Sequence, residues 1–209
     1  MDDWERVRAA LRDHGVAGAA DLGRFVNDGR YFRPSELDER AAMPVLVALL
    51  PTLSDARVVC AVASHLRRPW ARPAAFPALL DAFRRWAVLD DPAAAWALGD
   101  SLANAARSED LRVLLDVADN RGYGRARQMV VHALWRFRSS AAVAPALVLL
   151  LDDPDVALHA MSALRRCVGS EAALPYLRAA AQRHQNDPIG HAAIRAIRKA
   201  EKAAAGPAS

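Results

Sequence analysis

The 209-residue chain repeats one pattern of apolar and polar positions along most of its length. A polar turn, three times built on Asp-Pro, leads into an Ala-rich stretch whose apolar residues recur every three or four positions. This spacing predicts helices that each bury one face. A late Leu or Ile closes each copy, and these anchors lie about 30 to 36 residues apart, as in helical solenoids. The anchors are Leu66, Leu102, Leu134, Leu164 and Ile197.

Each repeat is predicted to hold an outer helix, a turn and an inner helix. An Asp-Pro turn favours the start of an inner helix, because Asp accepts an otherwise unused N–H and Pro lacks one. Residues 1–37 do not fit the repeat, so we predict a helical cap there, a solenoid over 38–203 and a disordered tail over 204–209. Outer helices are predicted at 38–50, 73–88, 108–118, 141–151 and 171–185, and inner helices at 55–68, 92–106, 124–138, 155–168 and 188–203.

Aligning the inner helices on their anchors sorts their residues into columns. The anchor column and the columns four and eight residues before it are apolar or small in every copy, which predicts the core. The opposite stripe, six and two residues before the anchor and just after it, is mostly polar. We predict that this stripe forms a binding groove. The candidate binding residues on or beside it are Trp96, Asp100, Arg125, Arg127, Gln128, His132, Trp135, Arg165, His191, Arg195 and Arg198.

Two alternatives stay open for the aromatic and acidic candidates. Trp96 and Trp135 could be interaction hot spots, where Trp is enriched, or could bend into the seam between helices. Asp100 could act in the groove, or it could form a structural ion pair with Arg125 or Arg127 on the next inner helix.

The distribution of charge distinguishes the N-terminal part of the chain from the C-terminal part. The net charge is +4; residues 1–120 hold 18 acidic and 15 basic side chains, and residues 121–209 hold 6 and 13. A basic C-terminal part attracts nucleic acid, an acidic protein face or an anionic lipid. Arg165, Arg195 and Arg198 form a cationic ladder there, which is either a solvated surface or an anion-binding one.

The sequence carries no complete set of catalytic residues. It lacks a metal-binding signature, a phosphate-cradling loop and a nucleophile elbow, so we expect no metal or cofactor and assign no catalytic residue. His132 fits a groove-wall histidine as well as a base. Cys60 and Cys167 fall in the first and fourth repeats, too far apart for a disulfide.

Two free thiols fit a reducing compartment. The apolar runs are too short to span a bilayer, and the N-terminus lacks a signal-peptide pattern. We therefore expect a cytoplasmic monomer with no membrane partner.

Part of the repeat resembles a known family. Leu151–Val156 followed by His159–Leu164 resembles a HEAT repeat of the bacterial PBS-lyase-like type. Trp96–Asp100 and Gly122–Met129 resemble stretches of bacterial HEAT-repeat proteins that have no assigned activity. The resemblance covers about residues 38–203. It implies an all-α, right-handed α-solenoid of about five helix pairs, with the inner helices lining the concave face.

The resemblance implies more about fold than about function. The prediction is a non-enzymatic scaffold or adaptor that binds a protein partner with an acidic surface through the concave face; nucleic-acid binding is the alternative. Trp96, Asp100 and Arg127 also resemble the arrangement in HEAT-like alkylpurine DNA glycosylases. That resemblance implies contacts from Trp96 to a damaged nucleotide and from Arg127 to a phosphate, with Asp100 stabilising a cationic sugar. Ser162 stands where a further groove Trp is expected, and the N-terminal region does not resemble those enzymes.

Overall fold

In a computed structural model, residues 2–22, 36–89 and 91–204 are described, and this part of the chain is helical with no strand. The chain divides into two compact units, Met1–Glu109 and Asp110–Ser209. The first unit holds helices α1 Asp3–Asp13, α2 Glu39–Leu49, α3 Ala56–Leu66, α4 Arg72–Trp86 and α5 Pro92–Ala105. The second holds α6 Leu111–Asp119, α7 Gln128–Ala133, α8 Val143–Leu149, α9 Ala157–Val168, α10 Ser170–Arg183 and α11 Pro188–Ala204. These elements confirm the all-α solenoid class.

Aspartate caps explain where three inner helices begin. Asp55, Asp91 and Asp187 each accept hydrogen bonds from N–H groups in the first turn of α3, α5 and α11, at 2.7 to 3.3 Å. Each cap satisfies donors that the first helical turn leaves unpaired. Asp153 is used differently, because α9 begins only at Ala157 and the Asp153 carboxylate pairs with a buried guanidinium.

The predicted core columns are largely confirmed. The column four residues before the anchor is fully buried in every copy, and four of the five anchors are at most 1% exposed. Ala126 in the eighth-before column and the last anchor, Ile197, are only half-buried. The fully buried column contains Val62, Leu98, Val130, Ala160 and Ala193.

The third inner helix differs from the prediction of a continuous helix over 124–138. The chain instead forms a 3-10 segment at Arg121–Arg127, the short α7, and a second 3-10 segment at Leu134–Phe137. Gly124 interrupts the first segment with φ +46° and ψ −132°, a conformation that a residue with a Cβ rarely adopts. The continuous-helix prediction is therefore wrong.

Packing within each unit follows the paired-helix scheme. In the first unit, α2 packs on α1, α3 and α4, and α5 packs on α3 and α4. In the second, α9 is central and contacts α7, α8, α10 and α11, while α10 and α11 pack closely along each other. Both α7 and α11 therefore pack against α9.

The N-terminal region and the tail are described only in part. Within the cap predicted over 1–37, α1 is followed by a single 3-10 turn, Ala19–Asp21, and residues 23–35 lie outside the described residues. The tail expected at 204–209 also lies outside them, apart from Ala204 at the end of α11. The boundaries of cap, solenoid and tail stay predictions.

Two simpler expectations concern thiols and membranes. Cys60 and Cys167 are free thiols, as predicted. In the ranges 2–22, 36–89 and 91–204, no helix combines the length and apolar character that crossing a membrane requires.

Candidate functional site

Three candidates on the third inner helix turn toward α9. The Gln128 side chain donates a 2.9 Å hydrogen bond to the carbonyl of Asp155, which precedes α9. The rings of His132 and His159 meet edge to face, with centroids 6.2 Å apart. Trp135, in the 3-10 segment after α7, is half-buried and contacts α9 through Arg166. These candidates therefore lie at the seam between α7 and α9.

The Trp135 ring carries two guanidinium groups. The guanidinium carbon of Arg166 lies 3.8 Å from the ring centroid, and that of Arg138 lies 5.7 Å from it. Stacking on an aromatic face holds a guanidinium plane while its N–H donors remain available to a ligand. Arg138 and Arg166 are exposed, and neither forms an ion pair within the described chain. Neither is among the candidates that the sequence predicts, although Arg166 stands in the column just after the anchor.

The histidine pair lies beside this cluster. His159 is partly buried, and its Nδ1 is a buried atom with no hydrogen-bond partner. Burial lowers the pKa of His159, and the neighbouring His132 lowers it further. Among the described residues, no group of three or more His, Cys, Asp or Glu side chains is placed to hold a metal ion.

More cations follow along α9 and α11. Arg165 and Arg166 lie in the last turn of α9; Arg165 is half-buried, and its Nε is buried without a partner. On α11 the candidates His191, Arg195 and Arg198 are all exposed. We define the cationic face as six of the basic residues of this region that form no ion pair with any described residue: Arg138, Arg165, Arg166, Arg195, Arg198 and Lys199.

Nearby acidic side chains have other partners. Asp152 pairs with Arg183 at 2.8 Å, and Glu201 pairs with Arg178 at 3.0 Å. Asp155 lies 3.9 Å from the highly exposed candidate Arg125. The cationic face is thus left with positive charge that the described part of the unit does not neutralise.

The comparisons with known proteins bear on this unit. A family model described as HEAT repeats matches residues 111–198. This segment consists of HEAT repeats. It runs from α6 into α11 and contains the histidine pair, Trp135 and all of the cationic face except Lys199. No curated protein and no solved structure matches the chain.

One candidate inside the HEAT repeats is not available to a ligand. Arg127 is fully buried, although sequence reasoning placed it in the groove. Its guanidinium donates to the carbonyls of Ala118 and Gly124 at 2.8 and 3.0 Å, and to the Asp153 carboxylate at 2.9 Å. Every arm of the side chain is engaged within its own unit, so we leave Arg127 out of any binding surface.

The unit before the HEAT repeats holds the remaining candidates. Asp100 pairs with Arg67 at 3.0 Å and accepts a hydrogen bond from Asn104 at 3.1 Å. The predicted partners Arg125 and Arg127 are therefore wrong for Asp100. Trp96, one turn earlier on α5, is 47% exposed and does not bend into a seam.

The glycosylase-like arrangement gains no support from this geometry. It requires Arg127 to reach a phosphate, and a fully buried guanidinium offers no donor to a ligand outside the protein. Of its three residues, only Trp96 has substantial exposed surface.

Proposed function

We propose that the chain is a non-enzymatic HEAT-repeat adaptor that binds an acidic protein partner through the cationic face. The observation that carries the proposal is the set of six basic residues without a carboxylate partner in the described chain. Unpaired charge of one sign attracts surfaces of the opposite sign and speeds their association.

Two cations of the face lie close together. Arg138 and Arg166 lie 5.7 and 3.8 Å from one ring centroid, so they are no farther apart than the Debye length at moderate salt, about 10 Å. Two like charges at this distance repel each other, and a carboxylate between them relieves the repulsion. Trp135 fixes one of the two guanidinium groups before binding, which lowers the entropy that a complex must lose.

A protein partner fits this surface better than a nucleic acid does. Arg and Trp are enriched at the centres of protein interfaces, and Trp135, Arg166 and the exposed Leu158 combine aromatic, cationic and apolar contact. HEAT repeats commonly mediate protein–protein interaction. A nucleic acid would bind the same arginines through its phosphates. The test below distinguishes this alternative from a protein partner.

Charge reversal on α11 tests the proposal. Immobilised full-length protein is used to capture partners from its source cells, and each captured protein is then purified and its affinity measured. In the variant Arg195→Glu/Arg198→Glu we expect affinity for an acidic partner to fall at least about tenfold, or about 1.4 kcal/mol. The matched control is Arg84→Glu/Arg112→Glu, which reverses two exposed arginines on outer helices and should leave affinity unchanged.

Two results would contradict the proposal. An equal loss in both double variants would show that net charge, and not this face, governs binding. Capture that disappears after nuclease treatment would favour the nucleic-acid alternative. The variant Trp96→Ala in the same assay tests whether the first unit adds a contact, since Trp96 is its exposed aromatic candidate.

The proposal includes a monomeric, cytoplasmic protein. Two free thiols, Cys60 and Cys167, support a reducing compartment. Light scattering on the purified chain measures its mass, and a stable dimer would remove the monomer part of the proposal.

A further inference from the structure

Helix α9 presents two different chemistries along one stripe. Leu158, Ser162, Arg165 and Arg166 are spaced so that they share one face of the helix. Leu158 is 58% exposed near the start of α9, whereas the two arginines lie in its last turn. Eight residues of α-helix separate Leu158 from Arg166, which corresponds to about 12 Å along the axis. The stripe is therefore apolar at one end and cationic at the other.

The Asp155 carboxylate makes the two ends of the stripe differ in their attraction for an acidic ligand. Asp155 lies just before α9, three residues from Leu158, and its side chain is 39% exposed. It therefore disfavours a second carboxylate at the Leu158 end. At the other end, Arg166 and Arg138 surround Trp135 and present unpaired N–H donors. Guanidinium groups bind carboxylates through two parallel hydrogen bonds when their donor edge is available.

Ser162 lies between the two ends. Its side chain is small and half-buried, so it leaves room for a chain to pass from the leucine to the arginines. A partner segment lying along α9 thus meets an apolar contact first and a cationic contact about 12 Å later.

We propose that the partner binds through a short acidic segment that carries one large apolar side chain. This inference rests on the proposed function and adds to it the chemistry and spacing of the partner. The apolar side chain packs on Leu158, and two carboxylates bind Arg166 and Arg138. For an extended segment rising about 3.3 Å per residue, 12 Å corresponds to three or four residues between the two contacts.

Synthetic peptides test this spacing directly. The probe is a fluorescently labelled octapeptide with Leu at its second position, Glu at its fifth and sixth, and Gly or Ser elsewhere. Comparison peptides replace Leu by Ser, replace both Glu by Gln, or move both Glu next to Leu. Affinity for the full-length protein is measured by fluorescence anisotropy. We expect the probe to bind most tightly, and each comparison peptide to bind at least about fivefold more weakly.

Protein variants then assign the two contacts. Leu158→Ser should weaken the probe about fivefold and leave the affinity of the Ser peptide unchanged. Arg166→Gln should weaken the probe about tenfold and leave the affinity of the Gln peptide unchanged. The matched controls are Leu149→Ser, an exposed leucine on α8, and Arg112→Gln, an exposed arginine on α6; both should bind the probe like the wild type.

Several outcomes overturn the inference. The inference is wrong if the probe shows no measurable binding, or if it binds no more tightly than the peptide in which both Glu lie next to Leu. It is also wrong if Leu158→Ser weakens the probe and the Ser peptide equally. If the captured protein partner still depends on Arg195 and Arg198, the proposed function survives and only the segment is wrong. If binding of the captured partner does not depend on Arg195 and Arg198 either, both the proposed function and the proposed segment are wrong.

Discussion

Arg127 is a fully buried guanidinium that bonds to nearby backbone carbonyls and to the Asp153 carboxylate, with the Asp155 carboxylate 3.9 Å away. It donates to the carbonyls of Ala118 and Gly124 and pairs with Asp153 at 2.9 Å. Because a charge removed from water is costly when unpaired, neither member of this pair can be lost without penalty. The pair therefore ties the start of the third inner helix to the turn before α9.

Removing the guanidinium should strongly destabilise the second unit. We expect Arg127→Ala to lower the free energy of unfolding by about 3–5 kcal/mol, because it takes the buried guanidinium away from Asp153 and leaves that carboxylate only the exposed Arg121, 3.7 Å away. The control Arg178→Ala breaks a half-exposed pair with Glu201 and should cost less than about 1 kcal/mol. Urea unfolding followed by circular dichroism measures both, and equal small losses would contradict the role assigned to Arg127.

Two histidines of the same unit should titrate on opposite sides of the ordinary value. Hydrogen bonds to Asp187 and Asp152, at 2.7 and 2.9 Å, raise the pKa of His184. Burial, together with His132, lowers the pKa of His159. An NMR pH titration should therefore show the His184 ring titrating above pH 6.5 and the His159 ring below it.

The pH dependence of stability follows from these directions. The contribution of His184 is complete below pH 6.5 and is lost as the pH rises through its folded pKa. The contribution of His159 is complete above pH 6.5 and is lost as the pH falls through its folded pKa. His184→Gln should thus flatten thermal stability on the alkaline side, and His159→Gln on the acidic side. Coincident titration of the two rings would contradict the assignment.

Helices and core columns could be predicted because their causes are local. An Asp cap acts within three residues of itself, and the apolar columns repeat with the helical period. The burial of Arg127 beside that break could not be predicted, because its partner Asp153 lies 26 residues away in sequence. In sequence, Arg127 looks like any other polar helix residue beside Gln128.

The candidate site could be predicted only in part, for a similar reason. The ladder residues Arg195 and Arg198 are exposed as their columns indicate. The stacking of Arg166 on Trp135 could not be predicted, because it joins two helices. Aligning the helices in columns does not show which side chains of different helices are in contact. Asp100 was assigned to the wrong neighbour because its partner, Arg67, lies on the inner helix before it and not on the one after.

Close packing of the turn after α10 against the start of α11 requires a residue without a side chain. A Cβ at Gly190 would overlap the backbone carbonyl of His184, which cannot move as a flexible side chain does. We expect Gly190→Ala to lower the free energy of unfolding by about 1–3 kcal/mol, the usual cost of overpacking. Gly122→Ala meets only the side chain of Asn120 and serves as the control in the same thermal scan. Equal melting temperatures of Gly190→Ala and Gly122→Ala would show that the backbone around position 190 accommodates a Cβ without loss of stability.

Charge differs between the two units of the molecule. Residues 1–109 contain 14 basic and 15 acidic side chains, whereas residues 110–209 contain 14 and 9. The field that steers an anionic partner therefore comes from the second unit, and it is screened over the Debye length.

Salt should accordingly weaken binding of an acidic partner. We expect the affinity of the captured protein to fall by about tenfold or more as salt rises from low to physiological strength, with most of the change in the association rate. In Arg195→Glu/Arg198→Glu the salt dependence should be much shallower, because the attraction has been removed. Surface plasmon resonance over a salt series measures both rates, and identical slopes for the two proteins would contradict the assignment of the field to this face.

The position of Arg165 and Arg166 in the last turn of α9 has an electrostatic consequence for the surface without them. The C-terminal end of a helix carries about half a negative charge on its unpaired carbonyls. The end of α9 itself therefore repels an anion, and the attraction at this end resides in side chains that single codon changes can replace. Losing these arginines would turn an attractive surface into a mildly repulsive one, so partner choice at this place can be reversed without altering the fold.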